Sequence, residues 1–64
     1  MKYKSQIQSD LYFWVETISG KVTAYCVVSQ VDGYPATEAC DDWFGRKEDA
    51  EEMAKLLAQG KDEY

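Results

Sequence analysis

Sixty-four residues with 12 acids, 7 bases, 2 cysteines and no histidine make one small acidic domain, residues 1–64, of net charge −5. A chain this short buries only about 60% of the surface its unfolded form exposes, too little to carve a deep catalytic cleft. Without histidine the commonest general base is missing, and neither a Ser-His nor a Cys-His nucleophile can be assembled. Structural zinc would find at most two good ligands. The expectation is a protein that is not an enzyme and holds no metal or cofactor.

In chain order, residues 3–7 either add to the first strand or form a loose arm. The first eight residues are positive but run into no apolar stretch, and no segment approaches the roughly 20 apolar residues that cross a bilayer. These features predict a cytoplasmic chain, with no membrane association and with reduced cysteines. Residues 11–18 are aromatic and β-branched and read as a strand. Ser19-Gly20 reads as a turn, and residues 21–31 form a second β-rich run. If that turn is a two-residue loop, Val15 faces Ala24, Phe13 faces Cys26 and Leu11 faces Val28 on one apolar side of the sheet. The other side then carries Tyr12, Trp14 and Glu16 against Val27, Tyr25 and Thr23.

Asp32-Gly33 is a hairpin signal, and a third strand is expected over residues 35–44 with Pro35 near its start. Two registers compete. A two-residue loop puts Thr37, Ala39, Asp41 and Trp43 on the helix side. A loop one residue longer puts Ala36, Glu38, Cys40, Asp42 and Phe44 there, with Cys26 opposite Cys40. Phe44 leads into the helix and belongs inside, and a bulge near Asp41-Asp42 would reconcile the two.

Residues 47–59 read as helix. Ala50, Met53, Ala54 and Leu57 fall at i, i+3, i+4, i+7 and make one apolar stripe. Glu48 and Asp49 suit the positive end of the helix dipole, Gly60 suits the C′ position, and neither Gly45 nor Arg46 caps the start well. Glu51 and Lys55 are a favourable i,i+4 pair, whereas Glu48 and Glu52 repel. The fold class is α+β. An antiparallel meander of three strands, or four if the arm pairs, is followed by one C-terminal helix packed on one face.

Charge is unevenly placed. Residues 38–52 hold Glu38, Asp41, Asp42, Glu48, Asp49, Glu51 and Glu52 against Arg46 and Lys47, so this segment carries the whole net charge. That imbalance disfavours a nucleic-acid partner, which calls for a basic footprint. Asp41 and Asp42, adjacent on an expected strand, point to opposite faces and cannot converge on a substrate. Cys26 and Cys40 match no CxxC spacing and read as packing residues. Tyr12, Trp14 and Tyr25 are expected on the face that one helix cannot cover. Contiguous exposed aromatics of this kind mark binding surfaces unless the arm, through Tyr3 and Ile7, folds over them.

Tyr12-Phe13-Trp14-Val15, followed much later by Phe44-Gly45-Arg46-Lys47-Glu48-Asp49-Ala50-Glu51, gives an outline that resembles the amino-terminal DNA-binding module of tyrosine-family integrases. The resemblance implies a sheet face inserted in the major groove through basic side chains. Here that face is expected to offer Lys21 at one end and otherwise Tyr, Trp, Thr, Val and Glu.

The leading expectation is a small acidic protein-binding module. It docks through Glu38, Asp41, Asp42, Glu48, Glu51 and Glu52, through the aromatic face, or through both. A phage- or mobile-element-encoded inhibitor that mimics nucleic acid, such as an anti-CRISPR or other anti-defence protein, has this character. The alternatives are a sheet-face nucleic-acid binder and a homodimer that buries the aromatic face.

Overall fold

The computed structural model describes residues 2–60. Four strands, β1 (Tyr3–Lys4), β2 (Leu11–Ile18), β3 (Ala24–Val31) and β4 (Thr37–Glu38), precede one helix, α1 (Lys47–Ala58). The sheet is an antiparallel meander in the order β1-β2-β3-β4. The α+β class is as the sequence indicates, with the arm supplying the fourth strand. Tyr3 and Lys4 pair with Phe13 and Tyr12. The Ser5 amide continues the ladder to the Leu11 carbonyl at 2.9 Å.

The register of the central hairpin differs from the expected one by three residues. Val15 lies opposite Val27, Phe13 opposite Ser29 and Leu11 opposite Val31. Residues 19–23 form a five-residue loop, and Val22 sits out in solvent there. A two-residue hairpin needs a primed turn with positive φ. The only positive-φ residues described are Gly33 and Gly60, so Gly20 supplies no such turn. An odd shift turns every side chain of β3 over. Val27, fully buried, therefore faces the helix with Tyr25, while Cys26 and Val28 lie on the opposite side with Tyr12 and Trp14.

The second turn carries Gly33 at φ 87° between Asp32 and Tyr34, with the Tyr34 amide bonded to the Val31 carbonyl at 2.9 Å. Positive φ at the third turn position is the type II arrangement that favours glycine. The strand that follows is far shorter than residues 35–44. Ser29 pairs with Thr37, Val28 with Glu38, and the Ala39 amide bonds the Val27 carbonyl. The loop is the longer of the two alternatives. Because β3 is turned over, however, Thr37 and Ala39 face the helix and Glu38 does not. Residues 40–43 then bulge out of the sheet, and Phe44 returns to bridge Tyr25 with hydrogen bonds of 2.8 and 2.7 Å. Ala39 comes from one expected register and Phe44 from the other.

Helix α1 starts at Lys47 after an Arg46 N-cap that makes no side-chain capping bond. Ala50, Met53, Ala54 and Ala58 are buried against Phe13 and Val27, with Leu57, Tyr3, Leu11, Val15, Tyr25, Ala39, Cys40 and Phe44 around them. Three alanines on the buried stripe let the helix approach the sheet closely. Gly60 ends the helix at φ 82°, as a C′ glycine does. The arm closes this end of the molecule. The Gln6 amide donates to the Ala58 carbonyl at 2.7 Å, satisfying one of the acceptors that every helix end leaves open. Buried Ser5 accepts the Ile7 and Gln8 amides on its Oγ, each at 3.1 Å.

Candidate functional site

Helix α1 covers one side of the sheet, and the other side has no second layer among the described residues. Its make-up follows from the pairing. One row crosses the sheet from Lys2, beyond the end of β1, through Trp14 and Val28 to Glu38 on β4. Beside it run Lys4, Tyr12 and Gln30. Beyond it lie Glu16 with Cys26, then Ile18 with Ala24. The arm stays at the sheet edge and does not cross this face. The Lys2 side chain reaches in, placing Nζ 4.7 Å from the Trp14 ring centroid in a cation–π contact. Trp14 also donates its indole N–H to Glu16. At the β4 edge the Trp43 indole, 61% exposed, donates to Glu38 Oε1 at 3.1 Å.

Tyr12, Trp14 and Glu38 are thus brought together. Tyr25 is not with them. The turned register puts it on the helix side, bridged to Phe44 and half-buried against the core, so its assignment to the open face is corrected. Asp41 and Asp42 are exposed in the bulged link rather than on a strand, so the strand geometry that was expected to separate them does not apply. Glu48 and Glu52 are exposed on the helix and Glu51 is half-buried, all on the far side of the sheet from Trp14. The acidic helix and the aromatic face are therefore separate surfaces. Glu38 belongs to the aromatic one.

The helix surface has its own organisation. Tyr3 donates its hydroxyl to Glu51 Oε1 at 2.8 Å, and the Lys55 ammonium stands 6.0 Å from the Tyr3 ring. The expected Glu51–Lys55 pair is in effect interrupted by this tyrosine. The bond to Glu51, with burial and the carboxylate charge behind it, raises the Tyr3 pKa. Tyr3, Lys47, Glu48, Glu51, Glu52 and Lys55 line an open groove here. At the helix start, Arg46 pairs with Glu48 at 3.4 Å in full solvent. Glu48 titrates below the usual carboxylate range, chiefly because of its backbone N–H and then because of Arg46.

Burial pushes the Cys26 thiol up, and the nearby Glu38 and Glu16 carboxylates push the same way, so this sulfur is held as the inert thiol. Both cysteines are free. Among the described residues no three His, Cys, Asp or Glu side chains gather to hold a metal ion, and no helix is long and apolar enough to cross a membrane.

Sequence reasoning missed Lys2, Lys4, Ile18, Val28 and Trp43 as members of the open face. The alternation Lys2-Tyr3-Lys4, one aromatic between two bases, was the available signal for an amphipathic edge strand with both lysines on one side. No family model matches this chain, and among curated proteins and solved structures none is significantly similar to it.

Proposed function

We propose that this chain is a protein-binding module without catalytic activity. The observation that carries the reading is the second face of the sheet, where Tyr12, Trp14 and Ile18 stand half-exposed with no layer over them among the described residues. Tyr and Trp offer large contact area at low conformational cost, which is why they dominate interface hot spots. The helix side adds a second, acidic surface. Glu48, Asp49 and Glu52 are exposed there, and Asp41 and Asp42 extend the charge along the link. Such a surface suits a basic groove on a partner, and an inhibitor that occupies a nucleic-acid-binding groove, encoded by a phage or mobile element, is the finer form of the reading.

The test is affinity capture from the native host with three baits: the wild-type chain, Trp14→Ala, and the neutralised Glu48→Gln/Glu51→Gln/Glu52→Gln. Loss of a captured protein with either variant supports the reading and says which surface carries it. Capture of the same set by all three baits, each shown folded by circular dichroism, sinks it.

One placement favours a second reading. Lys2 and Lys4 flank Tyr12 and Trp14, so the face combines stacking platforms with positive charge, as single-strand binders do. Glu16 and Glu38 on the same face offset those two charges. A salt-dependent shift of a labelled oligonucleotide, abolished by Lys4→Glu, would favour this reading over the first.

A further inference from the structure

The open face is complementary to itself, and from this we infer that its occupant is a second copy of this chain, giving a two-layer dimer with the two sheets inside and the two helices outside. The inference rests on the protein-binding reading and names the partner for that face.

The argument is one of charge and shape. The row that crosses the sheet is basic at β1 and acidic at β4, with Lys2, then Trp14, Val28 and Glu38. Lys2 and Glu38 are separated by three strand spacings, about 14 Å, so they do not pair within one chain. A two-fold axis parallel to the strands, passing between β2 and β3, exchanges the edges. Lys2 of each copy then lies over Glu38 of the other, and both ends of the row are paired at once. The same operation sets large side chains over small ones. Trp14 on β2 lies over the strand position of Val28 on β3 of the second copy, a residue itself only 9% exposed, while Ile18 meets Ala24 and Tyr12 meets Gln30, whose amide oxygen can accept from a phenol. An isologous interface has this reciprocal form. An axis along the strands also keeps the strand directions of the two layers aligned, which is how face-to-face sheets usually pack.

In the isolated chain the Lys2 ammonium occupies the Trp14 ring. On association it exchanges the ring for the Glu38 carboxylate of the second copy. The face is roughly 26 Å long along β2 and β3 and about 14 Å across only where the two-residue β1 and β4 flank them, at most about 360 Å² per copy, which is below the usual size of a stable interface. Association is therefore expected to be weak, in the high-micromolar range, with the Lys2–Glu38 pairs rather than area choosing the partner. The acidic helices stay outside, so the dimer presents two copies of the helix surface and a net charge of −10, twice the −5 of one chain.

The experiment is sedimentation velocity on the full chain from about 5 to about 500 μM, in which the micromolar association expected of so small a face would appear. Wild type is expected to pass from monomer to dimer. Trp14→Ala should remain monomeric. Lys2→Glu and Glu38→Lys should each weaken association at least about fivefold by facing like charges across the interface, and the double exchange Lys2→Glu/Glu38→Lys should restore it to within about twofold. Restoration is the diagnostic result, because these residues are far apart within one chain.

A monomer at every concentration overturns the proposal. If its capture of a host protein still depends on Trp14, the protein-binding reading survives with a different occupant. Monomeric chain that shifts a labelled oligonucleotide assigns the face to nucleic acid and overturns it too. So does a dimer indifferent to Trp14→Ala and to both charge reversals, because it would use another surface.

Discussion

The two sides of one sheet are built by the same two strands and differ in character. On the helix side, Phe13, Val15 and Val27 pack against Ala50, Met53 and Ala54, and the polar residues that β2, β3 and β4 add there, Thr17, Ser29 and Thr37, are uncharged. On the other side, neighbours in space combine charge and aromatic character, with Lys2 on Trp14, Glu16 bonded to Trp14 and Glu38 bonded to Trp43. A core face excludes unpaired charge because desolvating it is costly. A face that meets water for part of its life can keep charges at its rim and use them to choose a partner. Charged groups surround Trp14, whereas the sheet residues paired with Phe13 are the uncharged Tyr3 and Ser29, and the proposed binding face rests on that difference.

Adjacent residues offer the sharpest contrast. Phe13→Ala is expected to cost about 3–5 kcal/mol, comparable with the whole stability of a domain this size, and to leave the chain largely unfolded. Tyr25→Ala belongs with it, because the bridge to Phe44 places Tyr25 on the core side. Trp14→Ala, one residue away, should cost only about 1 kcal/mol and remove binding instead. Urea titrations of the three variants check this. A Trp14→Ala variant as unstable as Phe13→Ala would erase the distinction between the faces.

Next in size is the helix C-terminus. Gly60 has positive φ, and a Cβ there would lie 2.0 Å from Ile7 Cδ1. Gly60→Ala is expected to cost about 1–2 kcal/mol and to loosen the arm from the helix. Faster exchange of the Gln6 amide, which bonds Ala58, would report the loosening. An unchanged Gln6 amide would mean the arm is held independently of that glycine.

Smaller still is the Tyr3–Glu51 bond. Because the folded state raises the Tyr3 pKa, folding favours the protonated phenol. The stabilisation is complete below the unfolded tyrosine value near 10 and is lost as pH rises through the folded value. Tyr3→Phe should lower stability by about 0.5 kcal/mol at neutral pH and flatten the alkaline decline. Thermal melts between pH 8 and pH 11 distinguish the two curves, and parallel declines would contradict the assignment. The mildest probe is chemical. Half-buried Cys40 should be alkylated well before buried Cys26, whose thiol is held protonated on the face behind Trp14. Peptide mapping after brief iodoacetamide treatment reads the order, and modification of Cys26 first would place it in the wrong environment.

The helix was legible because its signals agree. The Ala50-Met53-Ala54-Leu57 stripe, the acidic first turn and Gly60 all point to one set of bounds, and the observed helix differs only at Gln59. The β2–β3 pairing was legible as a hairpin but not in register. Tyr25, Cys26, Val27 and Val28 are apolar at both parities, so either face of β3 can pass for a core face, and alternation cannot choose between them. The choice fell to the loop, where Ser19-Gly20 resembles a short turn but lacks the positive φ such a turn needs. That single difference moved Tyr25 inside and brought Glu38 to the aromatic face. The fourth strand was legible only as an alternative, since two paired residues leave little pattern to read.

The most direct test of the central claim, that the face opposite the helix joins two copies of this chain, is two-dimensional amide NMR of the chain during dilution from about 500 μM to about 20 μM, the range in which a small interface would dissociate. The account predicts concentration-dependent shifts at Tyr12, Trp14, Val28 and Gln30 and at the Trp14 indole N–H, with Ala50, Met53 and Ala54 unmoved. Shifts confined to the helix, or a spectrum that does not change with dilution, would contradict self-association through this face.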